Sequence, residues 1–178
     1  TTTSVVFCHV VIYPYHICLL REGTVFCLMK KYEHLFFDLD RTLWDCDTNS
    51  RLAVNEIYLS FDLQSKGILN ASDFVETYQE INEELWALYR KGLLNKRKLR
   101  TIRFTRTLEA FEIEDEYLGD QLSTAYVEIS PHKTALLPNT IEILDYLKGK
   151  YQLHIITNGF EEVQHVKLDK SGLNPFFD

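Results

Sequence analysis

Methionine, proline and glycine are scarce in this chain. Among 178 residues there are one Met, 4 Pro and 7 Gly. Collagen-like and low-complexity architectures need proline or glycine in bulk and are excluded. The four cysteines form no Cys-x-x-Cys pair, so neither a zinc site nor a disulfide framework is indicated. A reduced, cytoplasmic setting is the reading that follows. Basic charge is also short. The 19 Lys and Arg face 26 Asp and Glu, and the net charge of −7 argues against a nucleic-acid-binding domain. No hydrophobic run reaches the ~20 residues of a membrane span. The longest, Val5 to Leu20, is interrupted by His9, Pro14 and His16 and has neither the basic start nor the small-residue cleavage site of a signal peptide.

What is present divides at Met29. Residues 1–28 hold only two charged side chains, Arg21 and Glu22, but three of the cysteines, Cys8, Cys18 and Cys27. This stretch reads as an extension outside the functional fold, with a membrane-associated or edge-strand segment as the alternative. Met29-Lys30-Lys31-Tyr32 then reads as a native start. The rest is ordinary for a globular protein, and 46% hydrophobic residues suffice for a core.

Residues 32–38 are short, apolar and aromatic and run into carboxylates, as a buried strand does. Tyr151 to Ile156 is a second such run, followed by Thr157-Asn158-Gly159. A helix between Pro138-Asn139-Thr140 and Gly149 precedes it, with Ile141, Leu144 and Leu147 on one face. Another helix is predicted from near Phe160 to before Gly172. Strand, excursion, helix, strand, helix is the order of a parallel α/β sheet. The excursion, residues 50–131, carries only helical stripes. Phe74, Tyr78, Ile81, Leu85 and Leu88 recur at spacings of three and four. Three further stripes, around Ile57, Leu108 and Leu122, complete a small inserted bundle. The expected division is therefore residues 29–49 and 132–178 for the α/β part and 50–131 for the insertion. Two strands are too few for a stable sheet, so the rest of the α/β domain is expected beyond Asp178.

Asp38-Leu39-Asp40-Arg41-Thr42-Leu43 is the strongest chemical signal. Two carboxylates two residues apart, where a strand ends and turns, can converge on the crevice in which open α/β sheets bind ligands. Such carboxylates suit Mg²⁺. One can act as nucleophile while the other moves protons.

With these residues the chain resembles the haloacid dehalogenase (HAD) superfamily. Phe37 to Leu43 is similar to its first motif, Asp-x-Asp-x-Thr/Val. Ile155-Ile156-Thr157-Asn158-Gly159 is similar to its second. The insertion resembles the helical C1 cap of subfamily I. Thr42-Leu43-Trp44-Asp45 and Thr157-Asn158-Gly159-Phe160 resemble the pyrimidine 5′-nucleotidases of the YjjG type. The resemblance implies a Rossmann-like α/β fold, incomplete here, with a cap. It implies that Asp38 attacks phosphorus and that Asp40 first protonates the leaving oxygen and then serves as base. Mg²⁺ would sit on Asp38 and the Asp40 carbonyl, and Thr157 with the Asn158 and Gly159 amides would hold the phosphate. A Lys and an acidic pair that complete the family's site are expected beyond Asp178, which would leave this chain weakly active or inactive. The implied substrate is a small phosphorylated metabolite, foremost a nucleoside 5′-monophosphate. A sugar-phosphate phosphatase or phosphomutase is the alternative within the family, and a non-catalytic binding fragment the alternative outside it.

Four further readings complete the sequence. Lys167 and Lys170 are read as surface residues of the last helix. Asp45 to Ser50 with Glu56 imitates a calcium loop, but Ser50 stands where that loop needs glycine. This stretch is better read as a hinge, with Asp47, Thr48 or Asn49 capping the first inserted helix. Eight cations between Arg90 and Arg106, without an acid among them, read as a solvated face partly paired with the acids from Glu109 to Asp120, or as a positive surface that draws in phosphate. Trp44, Trp86 and Tyr89 could stack on a base, but core packing is the default for aromatic side chains.

Overall fold

The computed structural model describes residues 32–177 with their side chains, together with the backbone of two strands, β1 (His16–Arg21) and β2 (Thr24–Met29). These two strands pair antiparallel, Cys18 opposite Cys27, in a sheet of their own. Most of the apolar run from Val5 lies outside the described residues. Among the described residues no helix is long and apolar enough to cross a membrane.

The α/β part has two parallel strands, β3 (His34–Phe37) and β4 (Gln152–Ile155), in register from His34 opposite Gln152 to Phe37 opposite Ile155. One face carries Phe37, Leu39 and Leu153 into a core with Leu144, Leu168 and Leu173. The other face exposes Phe36 and Ile156. Helix α5 (Thr140–Leu147) precedes β4, and α6 (Glu161–Lys170) follows it. Gly149 and Gly172 end these helices at φ +82° and +72°, a left-handed conformation that favours glycine at this position. The predicted α5 face is only partly used. Leu144 and Leu147 pack, whereas Ile141 is exposed, because two strands cover a narrower strip than a full sheet.

Between the strands stand α1 (Cys46–Ser60), α2 (Ala71–Arg90), α3 (Lys96–Glu109) and α4 (Glu116–Ile129). Each begins at an Asp or Asn. Asp45, Asn70, Asn95 and Asp115 accept the amides of Thr48, Ser72, Lys98 and Leu118 at 2.8–3.0 Å. This is the usual way to satisfy the orphan donors of a first turn. The predicted stripes meet in a second core of Val54, Ile57, Phe74, Tyr78, Phe104 and Leu122.

Helix α1 starts earlier than residue 50, and its cap is Asp45 rather than Asp47, Thr48 or Asn49. Residues 46–50 are therefore helical, which excludes a calcium loop there. Asn49 is buried for another reason. Its amide donates to the Ala135 carbonyl at 2.8 Å, and its Oδ1 accepts the Ala135 amide at 2.9 Å. With Trp44 Nε1 donating to the Lys133 carbonyl (3.0 Å) and Leu137 N to the Leu43 carbonyl (2.9 Å), the two crossings between bundle and sheet are stitched side by side.

Candidate active site

The carboxyl ends of β3 and β4 form the floor of a cavity of about 230 Å³, and the helical insertion forms its roof. The floor is built by a tight turn. The Leu39 carbonyl accepts the amides of Thr42, Leu43 and Trp44 at 2.9–3.3 Å. Leu39, Leu43 and Trp44 are buried and anchor the turn in the core. Arg41 takes φ +63°, a left-handed conformation that costs a residue other than glycine about 1 kcal/mol or more. Its amide bonds the Trp44 carbonyl at 3.0 Å, and its guanidinium pairs with Asp47 and Glu83, both at 3.0 Å. Glu83 also pairs with Arg90 at 3.1 Å. The turn is thereby tied to α1 and α2.

This geometry brings Asp38 and Asp40 into the cavity with Thr157, Asn158 and Gly159. Burial raises the Asp38 pKa, and the charge of Asp40 adds to the rise. The Leu39 amide, Thr42 and Lys167 act against it. The Asp38 carboxylate accepts one side-chain hydrogen bond, a long one of 3.4 Å from Thr42 Oγ1. Asp40 is held more firmly, by Lys167 Nζ at 2.6 Å and Gln164 Nε2 at 2.7 Å. The Thr157 hydroxyl oxygen accepts from Gln164 Nε2 at 2.8 Å and from the Gly159 amide at 3.0 Å. Both lone pairs are then engaged, so the hydroxyl proton is the group Thr157 can still offer. The Gly159 amide is committed to Thr157. Helix α6 itself starts two residues later and carries Glu161 and Glu162 in its first turn, where they already complement its dipole.

Lys167 corrects the surface reading. It is buried, bonds Asp40 and lies 4.2 Å from the centre of the Trp44 ring, which attracts the cation. A buried ammonium needs a nearby anion, and the end of β3 supplies one 127 residues away in sequence. Gln164 was not singled out by the sequence. The available signal was spacing, since Gln164, Lys167 and Leu168 are buried at i, i+3 and i+4 on one face of α6. Lys170 is exposed, as expected.

The roof is aromatic and basic. Trp86 stacks on Phe160 with ring centres 5.4 Å apart, and Tyr89 meets Phe160 edge-on. Lys96 and Arg100 lie over the Phe160 ring and pair with Glu162 at 2.6 and 2.8 Å. They hold Glu162 at a pKa of about 2, chiefly through the Lys96 hydrogen bond. The basic segment therefore finds its acids in Glu83 and Glu162, not in the run from Glu109 to Asp120. Trp44 is buried in the core and shows one side to the cavity, and Trp86 lines the cavity as well. Cys46 also lines it, but burial pushes its thiol up to about 12, so it offers no thiolate nucleophile at neutral pH.

Among the described residues no three His, Cys, Asp or Glu side chains cluster as a metal cage. Asp38 and the Asp40 carbonyl nonetheless offer two hard oxygen donors, and Asp38 has spare lone pairs. This set suits Mg²⁺, which binds through one or two carboxylates and fills its shell with waters and phosphate.

Comparison with known proteins agrees with the geometry. The family model for haloacid dehalogenase-like hydrolases matches residues 32–178. Pyrimidine 5′-nucleotidase YjjG of Escherichia coli (strain K12) is 31% identical over 148 residues, which cover 83% of this chain and 61% of that protein. Pyrimidine 5′-nucleotidase PynA of Streptococcus pneumoniae is 29% identical, with coverage of 83% and 60%. The chain thus spans about 60% of the length of these relatives. The magnesium-bound structure of the HAD-hydrolase YfnB from Bacillus subtilis aligns with a TM-score of 0.71 at 27% identity, covering 84% of this chain and 62% of that one. L-2-haloacid dehalogenase from Xanthobacter autotrophicus shares the fold, with a TM-score of 0.55 at 18% identity and coverage of 84% and 55%. With its α/β core, its inserted bundle and its paired aspartates at the strand end, the chain belongs to the haloacid dehalogenase-like hydrolase family.

Proposed function

We propose that the chain carries the nucleophile-bearing part of a phosphomonoesterase whose substrate is a pyrimidine nucleoside 5′-monophosphate. The observation that carries this reading is the meeting of Asp38, Asp40 and Thr157 in one cavity beneath an aromatic, basic roof. Two relatives of about 30% identity that act as pyrimidine 5′-nucleotidases support the substrate class.

In the first half-reaction an Asp38 oxygen forms a bond to phosphorus while the ester P–O bond breaks. Asp40, which must first take up a proton in place of its ion pair with Lys167, gives that proton to the departing nucleoside oxygen. In the second, Asp40 takes a proton from water, the water oxygen bonds phosphorus, and the Asp38–phosphorus bond breaks to release inorganic phosphate. The Thr157 proton is placed to bond a phosphoryl oxygen, and the Asn158 and Gly159 backbone closes that end of the site. Mg²⁺, held by Asp38 and the Asp40 carbonyl, would neutralise charge on the phosphoryl oxygens. Asp40 as proton carrier favours ester hydrolysis over dehalogenation, which has no leaving oxygen to protonate.

The test is acid-quenched incubation of the chain with UMP and Mg²⁺, followed by mass spectrometry of its peptides. The expected product is a phosphoryl group on Asp38, absent from Asp38→Asn. A label on another residue, or one that persists in Asp38→Asn, would overturn the assignment.

A further inference from the structure

The cavity contains four arginines, Arg41, Arg90, Arg100 and Arg103. Three have carboxylate partners: Arg41 and Arg90 pair with Glu83, and Arg100 pairs with Glu162. Arg103, on α3, forms no ion pair among the described residues, yet it is only 5% exposed. Its Nε is buried without a hydrogen-bond partner. Its guanidinium lies 4.3 Å from the centre of the Tyr126 ring and 5.9 Å from that of Phe104. Ring faces attract a cation but accept no in-plane N–H, so they offset only part of the desolvation. On α2, which packs against α3, Asn82 also lines the cavity. Its Oδ1 is a buried acceptor that likewise has no partner. A buried donor and a buried acceptor without partners thus both belong to residues that line the same cavity.

We propose that Arg103 and Asn82 form the edge that recognises the nucleobase, with Arg103 donating to a ring carbonyl oxygen and Asn82 Oδ1 accepting from a ring N–H or amine. This rests on the nucleotide reading above and adds to it the residues that select the base. A pyrimidine presents a carbonyl beside an N–H or amine on one planar edge, and the stacked pair Trp86–Phe160 offers an aromatic surface in the same cavity. A ribose phosphate reaches the floor but leaves both roof groups unpaired, and such unpaired groups are what lets a polar site reject a poorer ligand.

Three proteins, the chain itself, Arg103→Met and Arg103→Lys, are titrated calorimetrically with UMP and with ribose 5-phosphate in Mg²⁺, and the ligand-free melting temperature of each is recorded. The chain is expected to bind UMP at least about 10-fold tighter than ribose 5-phosphate. Arg103→Met is expected to lose that preference and yet melt higher, because methionine keeps the packing on Tyr126 without burying a charge. Arg103→Lys, which keeps the charge but loses the planar fork, is expected to lose most of the preference and decides the matter if the methionine variant does not fold. If the unsubstituted chain binds both ligands alike, the nucleotide reading fails and this inference with it. If the chain prefers UMP and both variants keep the preference, this inference alone fails. A lower melting temperature in Arg103→Met, with both affinities reduced equally, makes Arg103 a structural residue and also overturns it.

Discussion

The floor and the roof of the cavity are finished to different degrees. On the floor, Asp40 has two partners within 2.7 Å and Thr157 has both lone pairs engaged, and Gln164 Oε1 alone is left buried without a partner. The roof leaves Asn82 Oδ1, Arg100 Nε and Arg103 Nε buried and unbonded. A satisfied set of polar groups holds one geometry whatever arrives, as phosphoryl chemistry requires. An unsatisfied set gains most from a ligand that completes it, as selection among phosphate esters requires. The difference assigns chemistry to the strand ends and specificity to the helices. It also predicts that substitutions in the two places fail differently.

The largest effect is expected on the floor. In the full-length protein, Asp38→Asn should lower phosphate release from UMP by at least about 10³-fold, because a carboxamide is not a nucleophile towards phosphorus. The melting temperature should change little, since Asp38 has only one long side-chain hydrogen bond to lose. A phosphate-release assay beside a thermal melt checks both. An unchanged rate would remove the chemistry from the floor.

An intermediate effect is expected at Lys167, and its sign is what matters. Arg103 and Lys167 are both buried cations, but of the two only Lys167 has a carboxylate partner among the described residues. Lys167→Met should therefore destabilise the chain by about 1–3 kcal/mol in urea unfolding, the cost of leaving Asp40 without its charged partner. Arg103→Met should shift stability the other way. Equal signs for the two substitutions would erase the distinction between floor and roof.

The two regions also differed in how far the sequence revealed them. Asp38, Asp40 and Thr157 are legible because a strand end aims its side chains by a local rule, whatever packs later. The inserted helices are legible from their stripes, and their buried residues are largely those the spacing selects. Lys167 and Arg103 were not. Each sits among charged and polar neighbours and reads as solvated, although Leu99, Arg103 and Thr107 share a buried i, i+4 row. Their burial is decided by elements distant in sequence: β3 for Lys167, α2 and α4 for Arg103. The Asp45 cap was missed because the first helix begins inside a polar stretch with no apolar residue to mark it.

The smallest effect concerns the tie between floor and roof. Glu83 on α2 pairs with Arg41 of the floor turn and Arg90 of the roof. Burial alone would raise its pKa, but the two arginines outweigh burial and bring it below the ordinary 4.5. A carboxylate whose folded pKa is depressed adds stability that is fully present above its unfolded value and lost as pH falls through the folded one. Glu83→Gln should therefore cost less than about 1 kcal/mol at neutral pH, because the pair is half exposed and screened by salt. The gap between variant and parent should stay constant from pH 8 to roughly 5, narrow below pH 4.5 and close in acid. High salt should narrow it at every pH. A gap that instead widened in acid would mean that Glu83 holds a proton in the folded chain, and the ion-paired link between strand turn and helices would have to be given up.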